Sequence, residues 1–171
     1  MHEPAPQLPP RPRIVAHRGA SFEAPENTVA AFKRAWALGV EAVELDVRLT
    51  KDGEVVVIHD PTTARTAGVD RAVADQTLAE LQALDAGGWK HLKYRGERIP
   101  TLAQALATIP PGRTMFVEIK TGRETAPAIA EVIRTARPTN ATIALQGFDP
   151  DALGALAAAL PDALAYWTVD P

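Results

Sequence analysis

Short runs that are apolar almost throughout alternate with amphipathic helical stretches along most of this chain, and that pattern fixes the class of fold. A strand that is apolar on both faces has to be covered on both, and the arrangement that does this with a helix between strands is a parallel sheet. The strand-like runs fall at 13–17, 41–50, 55–59, 114–120, 141–146 and 164–169. A helix is expected over 27–38, with Asn27 or Thr28 as its cap and Gly39 at its stop. Others are expected from Thr101, from Thr125 and from Asp149, the last with Pro150 at its first position. One connection breaks the pattern. Lys51-Asp52-Gly53-Glu54 is too short for a parallel crossover, so the runs it joins should form an antiparallel hairpin. The stretch 61–100 is irregular, with a short helix near Leu78 opened by Thr77 and Glu80, and reads as an insertion between a strand and its helix.

Composition narrows the function. A net charge of -3 and a pI near 5.8 argue against nucleic acid as the main partner, because phosphate-backbone binding leans on a basic face. The chain has no cysteine, which excludes disulfides, thiolate ligands and cysteine nucleophiles. No apolar run approaches the roughly 20 residues of a membrane span, so no stable membrane insertion is expected. The N-terminus lacks the apolar segment of a secretory signal, and a cytoplasmic location is expected. Residues 1–12 hold Pro4, Pro6, Pro9, Pro10 and Pro12 and read as a disordered leader.

The candidate chemistry is concentrated early. Glu44 and Asp46 are two apart on a strand and therefore share a face, while Val43, Leu45 and Val47 take the other. Paired carboxylates repel unless a cation lies between them, and oxygen-only ligands suit Ca²⁺ or Mg²⁺. With the hairpin turn centred on Asp52 and Gly53, Asp46 falls opposite His59 or its neighbour, which puts a general acid beside the carboxylates. His17 and Arg18 end the first strand, the side on which α/β barrels carry their active sites. An arginine there suits a phosphate, because its planar fork matches two oxygens. Glu118 and Lys120 repeat the spacing of Glu44 and Asp46, offering a third carboxylate and a positive charge for a substrate oxygen. Each feature alone has a bland counterpart: two solvent-facing acids, a turn histidine, an ordinary loop, an ion pair at a strand end. Their order along about a hundred residues is specific. Trp36 is expected on the core face of its helix, and Trp89 and Trp167 could line either core or pocket.

With those residues in place, the chain resembles the glycerophosphodiester phosphodiesterase family. The matching segments are IVAHRGA at 14–20, APENTVAAF at 24–32, VELDVRLTKDGEVVVIHD at 43–60, GERIPTL at 96–102 and FVEIK at 116–120. LQGFDPDAL at 145–153 resembles a further segment, with Gly147 where the family commonly has serine. The resemblance implies a TIM (β/α)8 barrel with a small inserted subdomain, here at 61–100. It implies metal-dependent hydrolysis of glycerophosphodiesters to sn-glycerol 3-phosphate and an alcohol. Carried over residue by residue, Glu44, Asp46 and Glu118 look like metal ligands for Ca²⁺ or Mg²⁺. His17 and His59 look like the acid/base pair, and Arg18 and Lys120 like phosphate contacts. A related phospholipase D-like activity on lysophospholipids would need an apolar approach, and no clear apolar stretch provides one.

The chain departs from the pattern in its length. A complete barrel has eight strands and typically about 250 residues, whereas five barrel strands are legible in these 171 residues. The expectation is a partial barrel over 13–171, arising by truncation or by internal deletion, since YWTVDP at 166–171 resembles a W-T-V-N segment found late in the family's barrel. An open sheet leaves backbone groups unpaired, so marginal stability and self-association through the open edge are expected, and a non-catalytic remnant is the reading from another class.

Overall fold

The computed structural model describes residues 13–169, so the proline-rich leader lies outside the described residues. Its elements run β1 (Val15–His17), α1 (Val29–Ala37), β2 (Ala42–Leu49), β3 (Val55–Val57), α2 (Ala64–Ala67), α3 (Leu78–Ala83), α4 (Leu102–Leu106), β4 (Thr114–Ile119), α5 (Ala126–Ala136), β5 (Thr142–Gly147), α6 (Pro150–Ala159) and β6 (Leu164–Trp167). The sheet order is β1-β2-β4-β5-β6, parallel at every pairing. These are the five expected barrel strands. β3 pairs antiparallel with the end of β2, with Val47 opposite Val57, and Ile58 donates its N–H to the Asp46 carbonyl. His59 is therefore one residue past the position opposite Asp46.

The parallel register sorts side chains onto two faces. Val43, Leu45 and Val47 of β2, Met115, Val117 and Ile119 of β4, and Ile143 and Leu145 of β5 point to the helices. They pack there against Phe32, Leu106, Ile129, Ile133 and Leu156 in the main core. Each fully buried aliphatic or aromatic side chain of this set stabilises the fold by about 1.5–3 kcal/mol. The opposite face carries the polar residues. His17 lies beside Glu44, and Asp46, Glu118 and Gln146 stand in one row across β2, β4 and β5. A second, smaller cluster of Val56, Ile58, Val73, Leu81, Ala86 and Ile99 holds the segment 61–100 against the β3 arm.

Local signals set the helix ends. Thr28, not Asn27, caps α1 by accepting the Ala31 N–H; Asn27 sits outside the helix at φ 56 and serves the site instead. Thr77 and Thr101 open α3 and α4 with complete capping boxes, and Asp149 caps α6 ahead of Pro150. Trp36 packs on the core and donates to Thr108 Oγ1 at 3.2 Å. Trp89 and Trp167 belong to neither core cluster, and Trp167 is 61% exposed on β6. Leu164 and Tyr166 of the same strand are also exposed. Among the described residues no helix is long and apolar enough to cross a membrane.

Gly19 is the one glycine that both its conformation and its surroundings require. It has φ +78, and a Cβ built on it would lie 2.8 Å from the Ala31 backbone carbon. The Gly19→Ala change is expected to destabilise the fold by about 2–4 kcal/mol, because the strained φ and the clash add. A chemical denaturation curve that moves by less than the error of the measurement would contradict this packing of the first loop on α1.

Candidate active site

The site assembles at the carboxyl ends of β1, β2 and β4. The first loop, 18–27, turns back on itself through three positive φ angles, at Arg18, Gly19 and Asn27, and closes with the Asn27 N–H on the Arg18 carbonyl at 3.1 Å. A non-glycine residue in that region is held there by its surroundings. Here the Arg18 backbone N–H donates to Glu44 Oε2 at 2.9 Å, and Asn27 Nδ2 donates to Asp46 Oδ2 at 2.8 Å. The loop thus uses its backbone and an amide to orient the strand carboxylates.

Glu44, Asp46 and Glu118 are all buried, and one oxygen from each lies within 4.8 Å of the others. Their immediate cations are Arg18, with Nε 3.4 Å from Asp46 Oδ2, and Lys120, with Nζ 3.2 Å from Asp46 Oδ1 and in contact with Glu118. Gln146 Nε2 donates to Glu118 Oε2 at 3.1 Å. Three carboxylates meet two cations, and among the described residues Glu44 Oε1 is buried without a partner. Asp46 Oδ1 and Glu118 Oε1 both face the Lys120 ammonium, which pairs with each of them. A buried polar atom left without a partner costs about 1–3 kcal/mol. The donor set is all oxygen, which suits a hard divalent cation, and the clustered oxygens are where such an ion would be held. The arrangement therefore fits a metal.

The charge excess raises the proton affinity of the cluster. Burial, and then the neighbouring Asp46 carboxylate, push Glu44 up from its ordinary 4.5 to about 8. A group raised on folding stabilises the protein in full below its unfolded pKa and loses that contribution as pH rises through the folded one. His17 works the other way: burial first, and Arg18 next, lower it below 6.5, so its contribution grows as pH rises to 6.5. Above pH 6.5 the opposing His17 contribution levels off, so Glu44 sets the sign of the slope up to about pH 8. With chelator present, stability is expected to fall across that window by on the order of 1 kcal/mol per pH unit. Saturating divalent cation, which binds the ionised carboxylate, should flatten the fall. Thermal melts at four or five pH values decide it, and a metal-free stability that rises across the window would contradict the assignment.

His17 Nε2 lies 3.8 Å from Glu44 Oε2, with its side chain largely exposed at the mouth. His59 Nδ1 lies 2.7 Å from Asp60 Oδ1. The Arg65 guanidinium, hydrogen-bonded to Asp60, holds that carboxyl well below the usual carboxylate range, so it is an ionised acceptor. With the proton on Nδ1, His59 keeps Nε2 for exchange. Arg65 also bonds both oxygens of Glu26, at 2.7 and 2.8 Å, and Glu26 in turn accepts from Arg18 Nη1 at 3.0 Å. One side chain from α2 therefore supports both the arginine and the second histidine. All seven residues singled out from the sequence lie at this end of the sheet. The supporting residues Glu26, Asn27, Asp60, Arg65 and Gln146 were not given roles there. The PENT and HD strings contain three of them.

The model of the glycerophosphoryl diester phosphodiesterase family matches residues 17–169. A glycerophosphodiester phosphodiesterase of Caldanaerobacter subterraneus is 50% identical over 119 residues, covering 69% of this chain and 49% of that protein. The chain thus spans about half the length of that curated relative. An Oleispira antarctica phosphodiesterase, solved in complex with the product sn-glycerol-3-phosphate, superposes with a TM-score of 0.89 at 36% identity, covering 93% of this chain and 66% of that one. The glycerophosphodiester phosphodiesterase of Thermotoga maritima superposes with a TM-score of 0.74 at 34% identity, covering 94% and 63%. Neighbours of this kind are TIM barrels, so the five parallel strands are part of such a barrel. By sequence along nearly its whole described length, and by the architecture of its sheet, the chain belongs to the glycerophosphoryl diester phosphodiesterase family.

Proposed function

We propose that this site hydrolyses glycerophosphodiesters to sn-glycerol 3-phosphate and an alcohol, with Ca²⁺ or Mg²⁺ held by Glu44, Asp46 and Glu118. The observation that carries the reading is the buried carboxylate cluster with a wholly unpartnered oxygen on Glu44. The product bound by the Oleispira antarctica relative supports the substrate class. A bound cation would supply charge neutralisation at the phosphodiester. Arg18 and Lys120 contact the phosphate oxygens, the first as a planar fork and the second as a point charge. His17, at the mouth beside Glu44, accepts a proton from the attacking water. His59, held by Asp60, returns a proton to the leaving alkoxide through Nε2.

The test is hydrolysis of glycerophosphocholine with Ca²⁺ or Mg²⁺, read as release of sn-glycerol 3-phosphate. Release that stops on chelation is expected. Release of phosphocholine instead, release indifferent to chelator, or no turnover with either cation would overturn the reading.

A further inference from the structure

Beside the mouth of the site, two segments far apart in sequence meet and expose an apolar and basic patch. Lys90 Nζ donates to the Ser21 carbonyl at 2.8 Å, and the Tyr94 hydroxyl donates to the Glu23 carbonyl at 2.9 Å. These two bonds bracket Phe22, whose side chain is left 93% exposed at the tip of the first loop. On the other segment Leu92 is 74% and Trp89 43% exposed. Large apolar groups gathered at this degree of exposure mark interaction surfaces.

The charge carried by the second segment itself is of one sign. Residues 89–95, WKHLKYR, carry Lys90, Lys93 and Arg95 and no acid. The Lys93 ammonium lies 4.7 Å from the Tyr94 ring centre, and that of Lys90 lies 5.8 Å from Trp89. Of the acids nearby, Glu23 is paired with Arg34 and Asp85 accepts the N–H groups of Gly87 and Gly88, which leaves Glu97 to offset part of the basic charge. Exposed aromatic and aliphatic side chains interleaved with lysine and arginine are the composition of a surface that lies in the headgroup layer of a bilayer. The apolar tips enter the acyl boundary, and the cations meet anionic headgroups.

We infer that the surface formed by Phe22, Trp89 and Leu92 with Lys90, Lys93 and Arg95 docks this protein on anionic lipid bilayers. The docking is peripheral and needs no membrane-spanning segment. The Ser21 hydroxyl donates to the His17 carbonyl at 2.9 Å, so the docked loop is tied to the end of β1 at His17 and carries Arg18. The mouth of the site would then open at the lipid surface. The inference stands on the patch alone and does not depend on the activity proposed above.

Sedimentation with vesicles tests it, using vesicles of phosphatidylglycerol mixed with phosphatidylcholine and vesicles of phosphatidylcholine alone. Binding to the mixed vesicles, weakened by salt, is expected. Two double variants alter only side chains of this exposed surface: Phe22→Ser with Leu92→Ser, and Lys93→Glu with Arg95→Glu. Each should bind the anionic vesicles about tenfold more weakly, with melts unchanged. Three results would overturn the inference. They are no sedimentation with anionic vesicles, equal sedimentation with neutral ones, and binding that both variants retain, which would place the contact on another exposed apolar surface such as β6.

Discussion

Replacing Glu44 by glutamine is expected to abolish the stabilisation of this protein by divalent cations, and to make the metal-free protein more stable at pH 8. Both effects have one cause. Glu44 Oε2 accepts the Arg18 N–H, a bond the glutamine carbonyl can keep. The other oxygen is buried without a partner beside two further carboxylates, and an amide NH₂ there becomes a donor among acceptors. The variant therefore gains where the wild type suffers repulsion, and loses the charge that a cation requires. At about 100 times its dissociation constant a ligand specific for the folded state contributes roughly 2.7 kcal/mol. In a chain of this size that is a shift of about 5–10 °C in melting temperature. The wild type should show it, and Glu44→Gln should not. A variant still shifted by calcium or magnesium would remove Glu44 from the ligand set.

The second large effect is catalytic. His17→Ala and His59→Ala are each expected to lower the rate of glycerophosphocholine hydrolysis by about 10²–10⁴-fold, the range for a positioned acid or base. Metal affinity should be retained, because neither ring belongs to the carboxylate cluster. Asp60→Asn should cost less, since His59 remains but loses the charged acceptor that orients it. Kinetics paired with a metal titration separate these roles from a structural one. A histidine variant that loses metal binding as completely as Glu44→Gln would contradict them.

These contrasts follow from how the site is encoded. Glu44 and Asp46 were legible because a strand has a period of two, and the apolar residues between them had to face the helices. Glu118 was legible for the same reason, although its place opposite Asp46 depends on a parallel register joining segments 72 residues apart, which no local pattern writes. His59 was placed through the Asp-Gly turn, and Gly53 does take φ +82.

What stayed hidden was the layer behind those residues. Arg65 sits on a four-residue helix, too short to give a periodic signal, and its partner Glu26 is 39 positions away. Asn27 resembled a helix cap because asparagine suits both a cap and the left-handed region it occupies. The apolar patch was hidden for a related reason. Phe22 and Leu92 are single residues in polar surroundings, and only the bonds from Lys90 and Tyr94 to the first loop bring them together.

The proposed chemistry requires that Glu44, Asp46 and Glu118 hold one cation together. Thermal melting of the purified protein with Ca²⁺ or Mg²⁺, and then with chelator, puts this to the test. A cooperative transition that rises by several degrees with one of these cations and returns on chelation is the predicted result. A transition that neither cation moves would contradict it.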